Sequence, residues 1–235
     1  ERTNGKIKDL IPSGSLAAMT RLVLTNAVYF KGTWQKQFDP NKTFDGDFTK
    51  TDGSKVNVRM MSLSGEESVF NYFGDETVQV LELPYDGNEL SMLVVLPKEG
   101  TMQELESSLS NEKLASWAPL MTKDEVNVIL PKFRFGTKYF MKATLSEMGM
   151  PPAFSDSADF SGMDGKKDLM ISEVIHQAFV EVNEEGTEAA AATVIIMAGS
   201  AMPSNVFIAD HPFIFIIKQN STGNILFMGK VNDPS

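Results

Sequence analysis

Short apolar runs of strand length, each closed by a turn residue, recur along the chain. Leu22 to Phe30 ends at Lys31-Gly32, Val78 to Leu83 at Pro84, Leu90 to Leu96 at Pro97, and Val126 to Leu130 at Pro131. Phe213 to Ile217 and Ile225 to Val231 lie near the end of the chain, joined by Asn220-Ser221-Thr222-Gly223. β-Branched and aromatic residues fill these runs, so each predicts a strand. Several are apolar at nearly every position rather than at every second one, which predicts sheets covered on both faces. Phe44 to Val58 holds a Thr-Asp-Gly turn and predicts a hairpin.

Helical spacing is rarer. Thr101-Met102-Gln103-Glu104 has the pattern of a capping box, and Met102, Leu105 and Leu109 follow at helical spacing. Glu112 to Met121 puts Leu114, Trp117 and Met121 on one stripe, and Lys138 to Met148 predicts a third helix capped by Gly149. The order is strands, two helices, strands, one helix, then strands. It lacks the regular alternation of a doubly wound parallel sheet. The predicted fold class is α+β, with large, mostly antiparallel sheets and a few helices. No internal repeat or linker divides the chain, so residues 1–235 read as a single domain.

Composition narrows the function. With 235 residues, 42% hydrophobic and 22% charged, the chain can bury a sizeable core. A net charge of -10 argues against a nucleic-acid partner, because phosphates would be repelled. No apolar run has the length to span a bilayer, so no membrane partner is expected. Cysteine is absent, which excludes disulfides, a thiolate nucleophile and a cysteine zinc site. The two sequons, at Asn41 and Asn220, are close to chance frequency.

Enzyme motifs are missing. The two histidines, His176 and His211, fall outside H-E-x-x-H, and G-x-S-x-G, Walker A and G-x-G-x-x-G do not occur. Ser110-Asn111-Glu112-Lys113 matches S-x-x-K, but its S-D-N and K-T-G companions are absent and it reads as a polar helical turn. The expectation is a protein that is not an enzyme, with no cofactor and no metal.

The informative stretch runs from Glu181 to Val194. An acidic run, Glu181-Val182-Asn183-Glu184-Glu185, meets Gly186, then Thr187-Glu188-Ala189-Ala190-Ala191-Ala192-Thr193, then Val194-Ile195-Ile196. Taken alone it reads as a solvated charge run with a flexible linker, or as a short alanine-rich helix. Its parity offers a third reading. In a strand, Thr187, Ala189, Ala191 and Thr193 share one face, and Glu188, Ala190 and Ala192 share the other. One face is then small and uncharged, and no proline interrupts the ladder. Such a segment could enter the middle of a sheet with Glu188 in solvent.

Four segments carry a family resemblance. Glu181 to Thr193 resembles the hinge of the serpins, the serine protease inhibitors. Thr25-Asn26-Ala27-Val28-Tyr29-Phe30-Lys31-Gly32-Thr33-Trp34 resembles a central strand and its turn in that family. Asp210-His211-Pro212-Phe213 and Phe227-Met228-Gly229-Lys230-Val231 resemble its C-terminal strands. The matches span nearly the whole chain in the family order. Serpins carry further helices and strands ahead of the point where this chain starts, so the resemblance is to the C-terminal part, with the N-terminal helices missing.

The resemblance implies a partial serpin fold with an exposed reactive-centre loop, the hinge and loop occupying residues 186–204. It implies a suicide mechanism against a serine protease: the loop is cut as a substrate, an acyl-enzyme forms, and the cut loop enters the large sheet as a new strand. A non-inhibitory serpin, acting as carrier, chaperone or storage protein, is the alternative. Insertion suits the composition, because alanine adds almost no side-chain entropy cost. Ordering a backbone residue costs about 1–2 kcal/mol and a ladder hydrogen bond returns about 0.5–1.5 kcal/mol, so the two roughly cancel.

Family spacing from Gly186 puts the bait within Met197 to Met202 and the reactive bond at Ser200-Ala201, while counting back from His211-Pro212 gives Ala201-Met202. A small residue before the cut implies a protease with a small or permissive primary pocket, elastase-like or subtilisin-like. The resemblance also pairs Lys132 with Glu184, near Trp34, where insertion begins. Taken alone, Lys132 and Glu184 read equally as two unpaired surface charges. It pairs His176 with Asn26 on the adjacent strand, where sheet opening is controlled; read alone, His176 is a hydrogen-bonded core histidine. An extracellular monomer is expected.

Overall fold

The computed structural model describes Thr3 and residues 5–66, 68–186 and 205–235. Its strands are β1 (Leu22–Tyr29), β2 (Phe44–Thr49), β3 (Lys55–Leu63), β4 (Val69–Gly74), β5 (Val78–Pro84) and β6 (Leu90–Pro97). Helices α1 (Met102–Ser108) and α2 (Asn111–Trp117) follow, then β7 (Thr122–Pro131) and β8 (Phe133–Phe140). Helices α3 (Lys142–Glu147) and α4 (Ser161–Asp164) precede β9 (Ile171–Val182), β10 (Asn205–Ile208), β11 (Phe213–Gln219) and β12 (Ile225–Val231). The chain divides into two compact units, residues 1–30 with 134–180 and residues 31–133 with 181–235.

The first unit is built on a three-stranded sheet in the order β1-β9-β8. β1 and β9 are parallel neighbours: Leu22 pairs with Ile171 and, after a shift of register, the ladder runs from Val23↔Glu173 through Asn26↔His176 to Tyr29↔Phe179. Parallel pairs bond slightly less well per residue than antiparallel ones.

The second unit holds a nine-stranded sheet in the order β12-β11-β6-β5-β4-β7-β3-β2, with β10 paired in parallel to β7. Its other pairings are antiparallel. Alternate residues Val78 and Val80, Leu93 and Val95, and Ile214 and Ile216 line one face of the sheet, where Met102 and Leu105 of α1 and Trp117 of α2 cover them. Each fully buried aliphatic side chain of this kind contributes roughly 1.5–3 kcal/mol. Leu81, Met92, Val94 and Ile217, on the alternate positions, are also fully buried, as the continuous apolar runs of β6 and β11 predict. Phe133 packs edge-on to Phe213 at 5.9 Å and tilted against Phe215 at 5.4 Å.

The α+β class and the mostly antiparallel sheets agree with the sequence reading, and so does the β2–β3 hairpin around Asp52-Gly53, where Gly53 has φ +80°. Four local expectations need correction. The helix expected over Lys138 to Met148 starts later: Lys138, Tyr139 and Phe140 end β8, and α3 begins at Lys142. Gly149 does cap it, with φ +105°. Thr101 is the N-cap of α1, but its hydroxyl donates to the Lys98 carbonyl at 2.7 Å and closes the preceding turn instead of a capping box. The second helix begins at Asn111, with Ser110 as its cap accepting from the Lys113 N–H at 3.1 Å. That bond explains the S-x-x-K match as capping. Full burial on both faces fails for β1 and β12, where Leu24, Leu226 and Met228 are exposed among the described residues.

Candidate functional site

β9 runs into a two-residue hairpin turn. Asn183 donates its N–H to the Gly186 carbonyl at 2.8 Å and receives the Gly186 N–H at 3.2 Å, leaving Glu184 and Glu185 at the tip. The Asn183 side-chain oxygen accepts from the Glu185 N–H at 3.2 Å and tightens the turn. The chain therefore reverses direction at Gly186.

Residues 33–38 staple this turn. The Trp34 N–H donates to Glu185 O at 2.8 Å, its indole Nε1 to Asn183 O at 2.9 Å, and the Phe38 N–H to Glu184 O at 2.9 Å. Three successive carbonyls are thus satisfied by two residues. Trp34 is 2% exposed and stacks on Tyr85 at 4.6 Å, which fixes the indole. Gly186 bridges Thr33.

Glu184 is 6% exposed, and its carboxylate has two partners. Lys132 Nζ, just beyond the end of β7, lies 2.8 Å from Oε2. The Thr43 hydroxyl donates to Oε1 at 2.8 Å. Thr43 is itself buried and follows a 3-10 turn, Pro40–Lys42, whose cap Asp39 accepts from the Asn41 N–H. Burial works to raise the Glu184 carboxyl, but the hydrogen bonds from Lys132 and Thr43 outweigh it and hold the group below the ordinary glutamate value. A buried charge is tolerated only when paired and hydrogen-bonded, so this carboxylate ties three chain segments together.

In the first unit, His176 Nδ1 lies 3.1 Å from the Asn26 side-chain oxygen, across the β1–β9 ladder. An amide oxygen accepts, so Nδ1 carries the proton. The Tyr139 ring stacks on the imidazole at 6.2 Å. Asn26 is exposed and His176 half-buried among the described residues, so the enclosed core position read from the apolar strand is corrected.

The structure thus brings Lys132, Glu184, Gly186 and Trp34 together, and separately brings Asn26 to His176. Thr187, Glu188, Ala189, Ala190, Ala191, Ala192 and Thr193, the pair Ser200 and Ala201, and the rest of residues 187–204 lie outside the described residues. Sequence reading missed Thr43, Asn183 and Phe38. Thr43 sits inside the Asn41 sequon, and only the Asp39-Pro40 turn start ahead of it signals a fixed position. A cavity of about 690 Å³ lies on the sheet face beside α2, lined by Val80, Leu93, Leu114, Trp117 and Ile216, and shares no residue with the Glu184 clamp. Among the described residues no cluster of three or more histidines or carboxylates could hold a metal.

A family model described as serpin (serine protease inhibitor) matches residues 1–234. A protein of Methanosarcina acetivorans described as an uncharacterized serpin-like protein is 47% identical over the whole of this chain and 55% of its own length. The leukocyte elastase inhibitor of Xenopus laevis is 45% identical, again over the whole chain and 63% of its own length. The crystal structure of uncleaved ovalbumin superposes with a TM-score of 0.86 at 35% identity, over 99% of this chain and 59% of that one. The chain therefore spans between half and two thirds of the length of these proteins.

Proposed function

The chain belongs to the serpin family, and from that premise we propose that the protein inhibits serine proteases as a suicide substrate, its loop entering the β1–β9 ladder as a strand after cleavage. The observation that carries the reading is the reversal at Asn183–Gly186. β1 and β9 are parallel. A segment that leaves Gly186 and turns back along β9 runs antiparallel to β9, and hence to β1 as well. Inserting it exchanges one parallel pairing for two antiparallel ones, which are the better-bonded kind. Thr187 to Thr193 suits that place, because its inward face carries no charge to desolvate.

The protein is then a substrate that traps its protease, not a catalyst. Ser200 as the residue before the cut favours a protease with a small or permissive primary pocket, in keeping with relatives described as leukocyte elastase inhibitors. The test is incubation of the full-length protein with elastase, subtilisin and chymotrypsin, followed by a denaturing gel. A covalent band of summed mass is expected. Clean loop cleavage without that band would sink the inhibitory reading and leave the non-inhibitory one.

A further inference from the structure

Arg59 lies on β3, away from the hinge, yet touches both segments that supply partners to Glu184. Its carbonyl accepts the Lys132 N–H at 2.8 Å. Its guanidinium Nη2 donates to the Thr43 carbonyl at 3.0 Å, and Nη1 pairs with Asp45 at 3.1 Å, the residue directly across the β2–β3 ladder. The backbone of Arg59 therefore places Lys132, and its side chain places Thr43. Those two residues hold opposite oxygens of the Glu184 carboxylate.

From this geometry we infer that Arg59 is a positioning residue for the Glu184 clamp: it sets the spacing of the Lys132 and Thr43 donors and so regulates how readily the turn at Asn183–Gly186 lets go. The inference rests on the inhibitory reading for its functional meaning. The Thr43 N–H reaches Pro40 O at a long 3.3 Å, so the guanidinium bond is the stronger tether on its main chain. The fork of the guanidinium suits the task. It bonds a carbonyl and a carboxylate at once, which a lysine does with a single swinging ammonium. Asp45 fixes the fork at its other prong. Loss of the side chain would leave β3 paired and the Lys132 backbone bond intact, and would release the Thr43 carbonyl together with the Asp45 ion pair.

The test uses full-length protein in four forms: wild type, Arg59→Met, Glu184→Gln and the double variant, with Arg59→Lys as the conservative control. The first readout is amide exchange at Phe38, whose N–H donates to Glu184 O, measured without protease. Arg59→Met is expected to speed it about three- to tenfold, the worth of one hydrogen bond, and Arg59→Lys to restore only part of the protection, because one ammonium cannot hold both partners of the fork. In the Glu184→Gln background the same change should add less than about twofold, because coupled residues are not additive. The second readout is the share of protease trapped rather than released, which Arg59→Met should lower. Unchanged Phe38 exchange in Arg59→Met, or an equal acceleration with and without Glu184, would overturn the inference and leave Arg59 as a surface strand residue. If wild type traps no protease, the inhibitory reading falls by itself, while the exchange data still decide the role of Arg59.

Discussion

Gly186 and Gly32 meet too closely for any side chain between them. A Cβ at residue 186 would stand 2.0 Å from the Gly32 carbonyl oxygen and 2.7 Å from Thr33 Cα, and Gly186 holds φ at +146°, a region that side-chain-bearing residues rarely enter. Backbone cannot retreat as a flexible side chain can. Gly186→Ala should therefore break the bridge to Thr33 and destabilise the fold by about 1–3 kcal/mol. The check is the urea midpoint, with Trp34 emission shifting toward the red as its packing loosens.

The Glu184 clamp makes stability depend on acid. Its folded value is depressed, so its contribution is fully present above the ordinary 4.5 and is lost as pH falls through the folded value. Glu184→Gln should cost about 1–3 kcal/mol at neutral pH, because Lys132 loses its counter-charge. It should also remove this component of the acid slope. Urea midpoints of both proteins between pH 7 and pH 3 should converge toward the acid end.

His211 works in the opposite sense. Its Nδ1 lies 2.8 Å from Asp210 and its Nε2 2.7 Å from the Pro97 carbonyl, so both ring nitrogens face acceptors. Burial works to lower its value, but these two bonds, with the charges of Asp210 and Glu99, outweigh it and raise it. A raised folded value contributes stability that is full below the ordinary 6.5 and is lost as pH climbs through the folded value. With two histidines in the chain, an NMR titration assigns each ring readily. His211→Gln should flatten the neutral-to-alkaline decline of the urea midpoint, and an unchanged decline would refute the assignment.

Thr187→Arg addresses the loop itself. In a strand, Thr187 shares its face with Ala189, Ala191 and Thr193, so an arginine there would carry a charge into the sheet interior at a cost of several kcal/mol. The variant of the full-length protein is expected to be cleaved by its protease without trapping it. A stable complex formed as readily as in wild type would rule out insertion from that end.

How far the sequence could be read depended on the range of each interaction. β6 and β11 were plain, because a continuous apolar run between turn residues has few alternatives. β8 was hidden: Phe133-Arg134-Phe135-Gly136-Thr137-Lys138-Tyr139-Phe140 mixes charges and a glycine into its alternation, and Lys138 also fits the helical spacing of Leu145 and Met148. The closeness of Lys132 to Glu184 came from family resemblance alone, since neither charge has a local partner pattern. Thr43 was signalled only by the Asp39-Pro40 turn start ahead of it, because the partner of its hydroxyl, Glu184, lies far away in the sequence. Trp34 was tied to the hinge only by resemblance, and the reach of its indole to the Asn183 carbonyl emerged only in three dimensions.

β12 ends the sheet order and pairs with β11 alone among the described residues. Ile225–Val231 holds no proline, and its charge, Lys230, is drawn aside to Glu106 at 2.6 Å. A strand edge with no partner among the described residues is a template on which another chain can zip. Unfolding experiments on this protein therefore call for dilute, cold handling and light-scattering control, or clumping will be mistaken for a conformational transition.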